Sequence, residues 1–296
     1  MPEKKLPVDS YAKNLPIIDA HFHPMKFMDA RELLEKMDEH HILAAGGAHR
    51  TPGALDNYDW EASLRSRWIY TQGNQMAGAV KHGGLAALED VNNPVFKQYF
   101  GYLESEFSNA TPIEQIGEIF INARTSHKVP ALRYKADAFS SGVQAIYKLA
   151  TLHKIPMLVH AQLDNDTANQ LVKLASLDRT GILILGHCGK DSTAAEARAV
   201  LESAPNIYCN LAYRAPPQET SGDSSRYIWT YKGLKPDWKK LIEDYPDRFM
   251  VGIDDVHSWR EYDAVIYSIR AFLLDNLTKD TAAKVAYLNA KKLYGI

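Results

Sequence analysis

The apolar and polar positions of this chain form two alternating kinds of stretch. Short apolar runs predict strands at 17–23, 42–47, 116–121, 155–160, 181–187, 206–211 and 249–254. Longer stretches with apolar residues at helical spacing predict helices at 29–37, 57–82, 95–107, 137–153, 166–177, 191–203, 238–244, 261–276 and 279–294. Because strands and helices alternate and the strands are mostly apolar, we predict a parallel sheet with helices on both faces.

The chain length favours one closed barrel over an open sheet. A (β/α)8 TIM barrel needs about 250 residues, and the chain has 296. Residues 1–14 have no hydrophobic period and predict a loose N-terminal arm, so we assign 15–296 to a single α/β TIM-barrel domain. Asp29 is a predicted N-cap for the first helix. The pattern contains no clear third strand, for which Gly84 to Leu88 is the best candidate.

Composition and charge narrow the range of partners. The chain is 46% hydrophobic and 24% charged, as soluble proteins are. Its formal net charge of -2 gives no basic field for phosphates, so we expect a small-molecule substrate and not nucleic acid. No apolar stretch approaches the roughly 20 residues that cross a bilayer, so a membrane is not an expected partner. The oligomeric state stays open, with a homo-oligomer among the options.

The cysteines and the N-terminal residues bear on the compartment. Cys188 and Cys209 can form at most one disulfide bond, which is too few to indicate an oxidising compartment. Residues 1–16 are polar and contain no apolar signal core. We therefore expect a cytoplasmic protein, although a signal peptide removed earlier would leave no trace in the sequence.

The first strand ends in two histidines that are one residue apart. Successive side chains of a strand point to opposite faces, so His21 and His23 share one face and Phe22 takes the other. Imidazole is a common zinc ligand, and two imidazoles on one face at a strand end predict half of a metal site. Two unconnected loop histidines are the alternative at this point.

Four more residues with metal-binding chemistry lie in or at the carboxyl ends of other apolar runs: Glu118, His160, His187 and Asp254. Counted from His23, the intervals correspond to roughly three, one, one and two βα units, which places the candidate ligands on strands 1, 4, 5, 6 and 8. Each residue alone has an ordinary explanation, such as a hydrogen-bonded core histidine or a strand-end cap. Glu118 is harder to explain, because a carboxylate on a buried strand needs a partner to offset desolvation. Together the six residues predict a metal site.

Cationic and aromatic residues lie on or near the predicted loops after strands 4, 7 and 8. The candidates for substrate binding among them are Arg124, Arg133, Tyr213, Arg214 and His257. Cations beside aromatic rings suit a small substrate that carries a carboxylate and a ring. Ordinary surface charge is the alternative for any one of them.

The combined pattern is similar to that of a known family. The His-x-His pair, one histidine on each of strands 5 and 6, and Gly252-Ile253-Asp254 on strand 8 resemble the amidohydrolase superfamily of metal-dependent TIM-barrel hydrolases. The most similar branch is the amidohydrolase-related one, which also contains decarboxylases and lactonases. Stretches at 33–37, 132–134 and 289–295 support that branch, so the resemblance extends over residues 16–296.

The resemblance implies one or two divalent metal ions, with zinc favoured and manganese as the alternative. Many members of the superfamily bridge two ions with a modified lysine on strand 4, whereas this chain offers Glu118, as TIM-barrel metal-dependent deoxyribonucleases and some lactonases do. A two-metal site would use six residues, which are His21, His23 and Asp254 for the first ion and His160 and His187 for the second, with Glu118 between them.

The one-metal arrangement of the decarboxylase-like relatives differs. There the His-x-His pair, the strand 5 histidine and the strand 8 aspartate hold the ion, and the strand 6 histidine, His187 in this chain, works in catalysis. The resemblance thus leaves the number of metal ions open.

From this resemblance we expect a metal-dependent hydrolase. It would attack a lactone, ester or amide in a small carboxylated or cyclic substrate through a metal-activated water, with Asp254 and His187 as catalytic residues. A mononuclear metal-dependent decarboxylase that acts without an oxidant is the first alternative. A non-catalytic barrel that binds a metal or a ligand is the second.

Overall fold

The computed structural model of the chain describes residues 10–48, 54–55, 64–73, 88–124, 133–214 and 227–296. The strands within these residues are β1 Ile17–His23, β2 Ile42–Gly47, β3 Trp68–Ile69, β4 Thr71–Gln72, β5 Gln115–Asn122, β6 Met157–Ala161, β7 Leu183–Gly186, β8 Ile207–Asn210, β9 Trp229–Thr230, β10 Gly233–Leu234, β11 Phe249–Met250 and β12 Asp254–Asp255. The α-helices are α1 Ala30–Glu39, α2 Pro94–Glu106, α3 Ser141–Leu152, α4 Asn165–Ser176, α5 Ala194–Ser203, α6 Pro236–Asp244, α7 Trp259–Ser268, α8 Lys279–Ala283 and α9 Asn289–Tyr294.

The chain divides into two compact units. The first unit comprises Met1–Gly46, Arg50–Trp68 and Asn210–Ile296, and the second comprises Gly47–His49 and Ile69–Cys209. Each unit is described by itself below.

The first unit is built around β1, which is buried at every residue. Its neighbours in the sheet are β2 and β12. The pairing with β12 is parallel and sets Phe22 opposite Asp254. Helix α1 begins where predicted, because the Asp29 carboxylate accepts hydrogen bonds from the amides of Arg31 and Glu32.

The last two helical stretches of the first unit are not uniformly α-helical. A π-helical segment at Ile269–Leu273 and a 3-10 turn at Leu274–Asn276 follow α7, and a second π-helical segment at Lys284–Leu288 joins α8 to α9. Helix α7 begins two residues before the predicted start, since the Ser258 hydroxyl caps it by accepting from the Glu261 amide at 3.2 Å.

The described part of the predicted N-terminal arm is a 3-10 turn at Tyr11–Asn14. The Asp275 carboxylate accepts from the amide of Ala12 at 2.9 Å. The guanidinium of Arg270, which is buried, donates to the carbonyls of Ala12, Leu15 and His40. Burial lowers the pKa of Arg270 to about 10, so its side chain is charged at neutral pH.

The second unit contains a parallel sheet in the order β4, β5, β6, β7 and β8. Helices α3, α4 and α5 connect its last four strands in sequence, which is the predicted alternation. Strand β5 is buried along all eight residues. Cys188 and Cys209 form a disulfide bond in this unit, with their Cα atoms 4.5 Å apart.

The predicted helix at 57–82 is wrong over the part that the structure describes. Residues Arg65–Arg67 form a 3-10 turn, and Trp68–Ile69 and Thr71–Gln72 form strands. The Glu114 amide donates to the Tyr70 carbonyl at 2.8 Å, and this bond leads into the parallel pairing of β4 with β5. Strand pairing with residues distant in sequence therefore overrides a weak local helical period.

The candidate third strand at Gly84 to Leu88 lies outside the described residues except for Leu88, which is in a 3-10 turn. The apolar run at 249–254 forms two short strands, β11 and β12, instead of one. Among the described residues, no helix is both long enough and apolar enough to cross a bilayer.

Candidate metal centre

Three of the predicted ligands lie together in the first unit, and we call them the histidine-pair cluster: His21, His23 and Asp254. The alternation of β1 sends both imidazoles to one face, where their Nε2 atoms are 3.2 Å apart. Both side chains are buried. Two ring nitrogens therefore converge on one point at the carboxyl end of the strand.

Asp254 joins this pair through the pairing of β12 with β1. Its Oδ1 atom lies 3.7 Å from Nε2 of His23 and accepts a hydrogen bond from the Asp255 amide at 2.7 Å. Its φ angle of 76° is in the left-handed region that most residues avoid. The residue is only 7% exposed, so the carboxylate is largely removed from bulk water.

Asp19 ties the two strands of this cluster together and is absent from the residues predicted to act in the site. Its Oδ1 atom accepts from the amides of His21 at 3.2 Å and Ile253 at 3.0 Å. Complete burial raises the pKa of Asp19 to about 7, against the opposing effect of these hydrogen bonds. A carboxylate inside an apolar run, two residues before His21, is the sequence signal that could have identified it.

The other three predicted ligands lie together in the second unit, and we call them the glutamate cluster: Glu118, His160 and His187. Oε1 of Glu118 is 2.7 Å from Nδ1 of His160 and 3.1 Å from Nε2 of His187. The two ring nitrogens are 3.2 Å apart. All three side chains are buried, and each offers a donor atom within 4.8 Å of the others.

The backbone around the glutamate cluster is irregular. The pairing of β5 with β6 shifts register between Ile116 and Ile119, the segment that contains Glu118. Gly117 has a φ angle of 155°, and a Cβ atom there would clash with the backbone of Leu158 on β6. Only glycine permits this close approach of the two strands beside the carboxylate.

Burial also affects the protonation state of His160 in the glutamate cluster. It lowers the pKa of His160 to about 4, because desolvation together with His187 and Lys190 outweighs the attraction of Glu118. Phe120 stacks on the His160 ring at a centroid distance of 4.4 Å. The imidazole is therefore neutral at pH 7, which is the form that binds metal ions.

Both clusters have a donor set that fits a divalent metal ion. Imidazoles combined with a carboxylate make a mixed nitrogen and oxygen set, which suits zinc and also manganese. Three protein ligands leave a coordination position for water or substrate, as catalytic zinc sites require. The residues present thus fit the predicted group in each unit.

The predicted substrate-binding residues occupy different surroundings. Arg124 and Arg133 are exposed in the second unit. In the first unit, Tyr213 lines a pocket together with Trp229 and Asp255, and His257 is exposed with Nε2 3.8 Å from Asp255.

Arg214 is buried, and its guanidinium lies 4.8 Å from the ring centroid of Trp238. Substrate binding by these five predicted residues stays a prediction.

Three solved structures share the fold of this chain at low sequence identity. An uncharacterised TIM-barrel protein from Bordetella bronchiseptica is 14% identical and has a TM-score of 0.61, over 95% of this chain and 99% of its own. A zinc-bound amidohydrolase from Burkholderia multivorans is 15% identical, with a TM-score of 0.51 over 95% and 99%. The 2,6-dihydroxybenzoate decarboxylase from Rhizobium is 11% identical, with a TM-score of 0.54 over 95% and 98%. The predicted α/β TIM-barrel fold is thereby confirmed.

The sequence comparisons give the family. No curated protein matches the chain. A family model described as amidohydrolase matches residues 124–296, which is more than half of the chain and includes His160, His187 and Asp254. The chain therefore belongs to the amidohydrolase family and is an enzyme of the amidohydrolase superfamily.

Proposed function

We propose that this enzyme is a metal-dependent hydrolase that opens a lactone, ester or amide in a small carboxylated or cyclic molecule. The observation that carries the proposal is the glutamate cluster. Its buried carboxylate lies within 2.7 Å and 3.1 Å of two imidazoles, a combination of residues that can bind a cation. Together with the histidine-pair cluster, this gives two candidate cation sites. A second cation site favours hydrolysis over chemistry that uses a single ion.

The proposed ligands follow from the two clusters. His21, His23 and Asp254 would hold one ion, and His160 and His187 with Glu118 would hold the other. A bound metal ion would lower the pKa of a coordinated water to about 7 and would polarise the carbonyl group of the substrate. Zinc is the proposed metal, with manganese as the alternative.

The side chains of the chain supply the remaining chemistry. Asp254, which is ionised in this proposal, accepts the proton of the attacking water and transfers it to the leaving atom. The backbone bond from Asp255 holds this carboxylate in place before substrate arrives. In the alternative with a single ion, His187 would not be a ligand, and its ring, 3.1 Å from the Glu118 carboxylate, would hold a proton instead.

Decarboxylation with a single ion is the second candidate. It is favoured by the pairing of His187 with Glu118, since a carboxylate beside an imidazole is also a common arrangement for a proton donor. One protein of similar fold is a 2,6-dihydroxybenzoate decarboxylase. The non-catalytic alternative is set aside because the family is one of enzymes.

A Glu118→Gln variant separates the two candidates. We expect it to lose one metal ion per chain relative to the wild type, because the amide no longer neutralises a cation beside His160 and His187. Elemental analysis of zinc-loaded protein is the measurement. Glu114→Gln is the matched control, since Glu114 precedes β5 and hydrogen-bonds the Tyr70 amide instead of a histidine.

Product analysis completes the test. Incubation with dihydrocoumarin, 4-nitrophenyl acetate and 2,6-dihydroxybenzoate should release acid from the lactone or the ester and no carbon dioxide from the benzoate. Carbon dioxide release, together with one metal ion in both wild type and Glu118→Gln, would replace the hydrolase proposal by the decarboxylase.

A further inference from the structure

The loop that follows β7 begins at His187 of the glutamate cluster, and its backbone is unusual. His187, Cys188 and Asp191 have φ angles of 56°, 48° and 64°, in the left-handed region that residues other than glycine seldom adopt. Gly189 lies among them with a φ of 72°. Such conformations are costly and persist only where the surrounding structure enforces them. This loop, which we call the His187 loop, therefore depends on contacts that hold it in place.

Several hydrogen bonds shape the His187 loop from within. The amides of Cys188 and Gly189 donate to the carbonyls of Leu185 and Gly186, each at 3.1 Å. The buried Ser192 hydroxyl donates to the Cys188 carbonyl at 2.7 Å. Each of these bonds joins residues that are close together in the chain, so it closes a turn without fastening the turn to a distant element.

A covalent bond fastens the same loop to the next strand of the sheet. Cys188, directly after His187, is disulfide-bonded to Cys209 on β8. Cys209 lies opposite Leu185 in the parallel pairing of β7 with β8, so its position is set by a regular sheet. Both cysteines are completely buried. The disulfide bond thus fixes the residue next to His187 relative to the sheet.

The position of the His187 ring decides whether the glutamate cluster can act as a set of ligands. Its Nε2 atom lies 3.1 Å from Oε1 of Glu118 and 3.2 Å from Nδ1 of His160. Interactions that orient a metal ligand add to metal affinity because the ligand atoms converge before the ion arrives. If the His187 loop relaxed to ordinary φ angles, this ring would leave the other two side chains.

From this geometry we propose that the disulfide bond between Cys188 and Cys209 positions His187 for metal binding, so that reduction of the bond weakens the metal site at the glutamate cluster. The inference rests on the proposed function in that an ion is bound at this cluster. The histidine-pair cluster contains no residue of the His187 loop, and its affinity for metal does not depend on the disulfide bond.

Reduction of this bond is a two-electron step with a dithiol as the reductant. The dithiol attacks one sulfur, the bond between the two Sγ atoms breaks, and the reductant leaves as its own disulfide. Two electrons and two protons pass to Cys188 and Cys209, which become thiols. Since both cysteines are buried, the His187 loop must open before the reductant reaches them. Metal binding at the glutamate cluster then follows the redox state of the surrounding thiols.

Zinc titration of three samples tests the inference. These are the oxidised wild type, the wild type reduced with a phosphine and freed of it without oxygen, and the double variant Cys188→Ala/Cys209→Ala, which has neither the bond nor thiols that could bind zinc. Competition with a chromogenic chelator measures the affinities. In the reduced protein and the double variant, one of the two zinc sites should be about 10–100-fold weaker and the other unchanged. Reoxidation should restore the wild type.

Two controls make the result specific to the glutamate cluster. Glu118→Gln has already lost the affected site, so reduction should leave its remaining zinc site unchanged. Phosphine treatment of the double variant should have no effect. The unchanged site at the histidine-pair cluster shows that each sample is folded. In metal-free protein, hydrogen–deuterium exchange of the amides at 187–192 should be faster without the disulfide bond.

Three results would overturn the inference. The first is an oxidised wild type with two zinc sites whose affinities are the same after reduction and in the double variant. The second is equal weakening of both sites, which would show a general loss of stability. The third is unchanged amide exchange in the His187 loop. A single ion in the oxidised wild type and in Glu118→Gln alike would instead contradict the proposed function, and the inference would fall with it.

Discussion

The backbone of Asp254 is held in a conformation that residues other than glycine seldom adopt. Its φ of 76° is of the kind that costs about 1–3 kcal/mol and clusters at active sites. The carboxylate is buried, 3.7 Å from the His23 ring, and oriented by the Asp255 amide. This combination suits a residue that must keep one position while a proton is transferred.

Asp254→Asn should lower turnover by about 10²–10⁴-fold, because the amide keeps the shape but accepts no proton. Steady-state rates on the substrate found in the panel, with zinc content measured in parallel, are the readout. Asp255→Asn should stay within a few-fold of the wild type. The reverse ranking of the two variants, with metal bound in both, would show that the register of β12 and the proton-transfer role are wrong.

The pKa of Asp164 predicts how the free energy of unfolding depends on pH. Desolvation raises the pKa of Asp164, but hydrogen bonds from Thr167 and Lys135 outweigh it and lower the pKa to about 2. An acid with a lowered folded-state pKa stabilises the fold above its ordinary value of 3.8, and this contribution is lost as the pH falls towards 2.

Asp164→Ala removes both the N-cap of α4 and the partner of Lys135, and should destabilise the protein by about 1 kcal/mol. Urea unfolding should give the same difference from the wild type at pH 8 and pH 5, and a smaller one near pH 3. A difference that already fades between pH 8 and pH 5 would contradict the low pKa.

Among the elements, the π-helical segment Ile269–Leu273 is connected to other parts of the first unit by one side chain. Arg270 on this segment donates to carbonyls at Ala12, Leu15 and His40. These acceptors belong to the N-terminal turn, to the residues before β1 and to the end of α1. One buried guanidinium therefore joins three parts of the first unit that are distant in sequence.

Arg270→Met should reduce the free energy of unfolding by more than about 3 kcal/mol, since three carbonyls, two of them buried, lose a charged donor. Urea unfolding monitored by circular dichroism measures this. Arg198→Met is the control, because its 3.6 Å pair with Glu202 lies on the surface of α5 and is worth about 0–1 kcal/mol. Equal effects of the two variants would show that Arg270 does not hold these segments.

The sequence was most informative where local signals are strong. Asp29 indicated the start of α1, and the apolar run from Ile17 indicated β1 together with the shared face of its two histidines. Regular strand and helix periods in the second unit likewise predicted β5 to β8 within about two residues. These features depend on residues close together in the chain.

The features that the sequence did not predict depend on distant contacts. Thr71 and Gln72 form a strand through pairing with Gln115 and Ile116, although the local pattern there is closer to a helix. The role of Asp19 was missed because it depends on a hydrogen bond from the amide of Ile253, which is distant in sequence.

For the whole molecule, the family and the fold point to the same chemistry. The amidohydrolase family model matches residues 124–296, and the fold is similar to that of TIM-barrel structures. Both findings agree with the resemblance inferred from the candidate metal ligands. Each unit contains three of the six proposed ligands. Metal binding is therefore the property on which every proposed catalytic role depends.

Metal content per chain tests this central claim most directly. Protein purified without chelator, and then titrated with zinc and separately with manganese, is analysed for bound metal by inductively coupled plasma mass spectrometry. The account predicts two equivalents per chain, falling by one in Glu118→Gln. Less than about half an equivalent, with no gain on adding either metal, would contradict it.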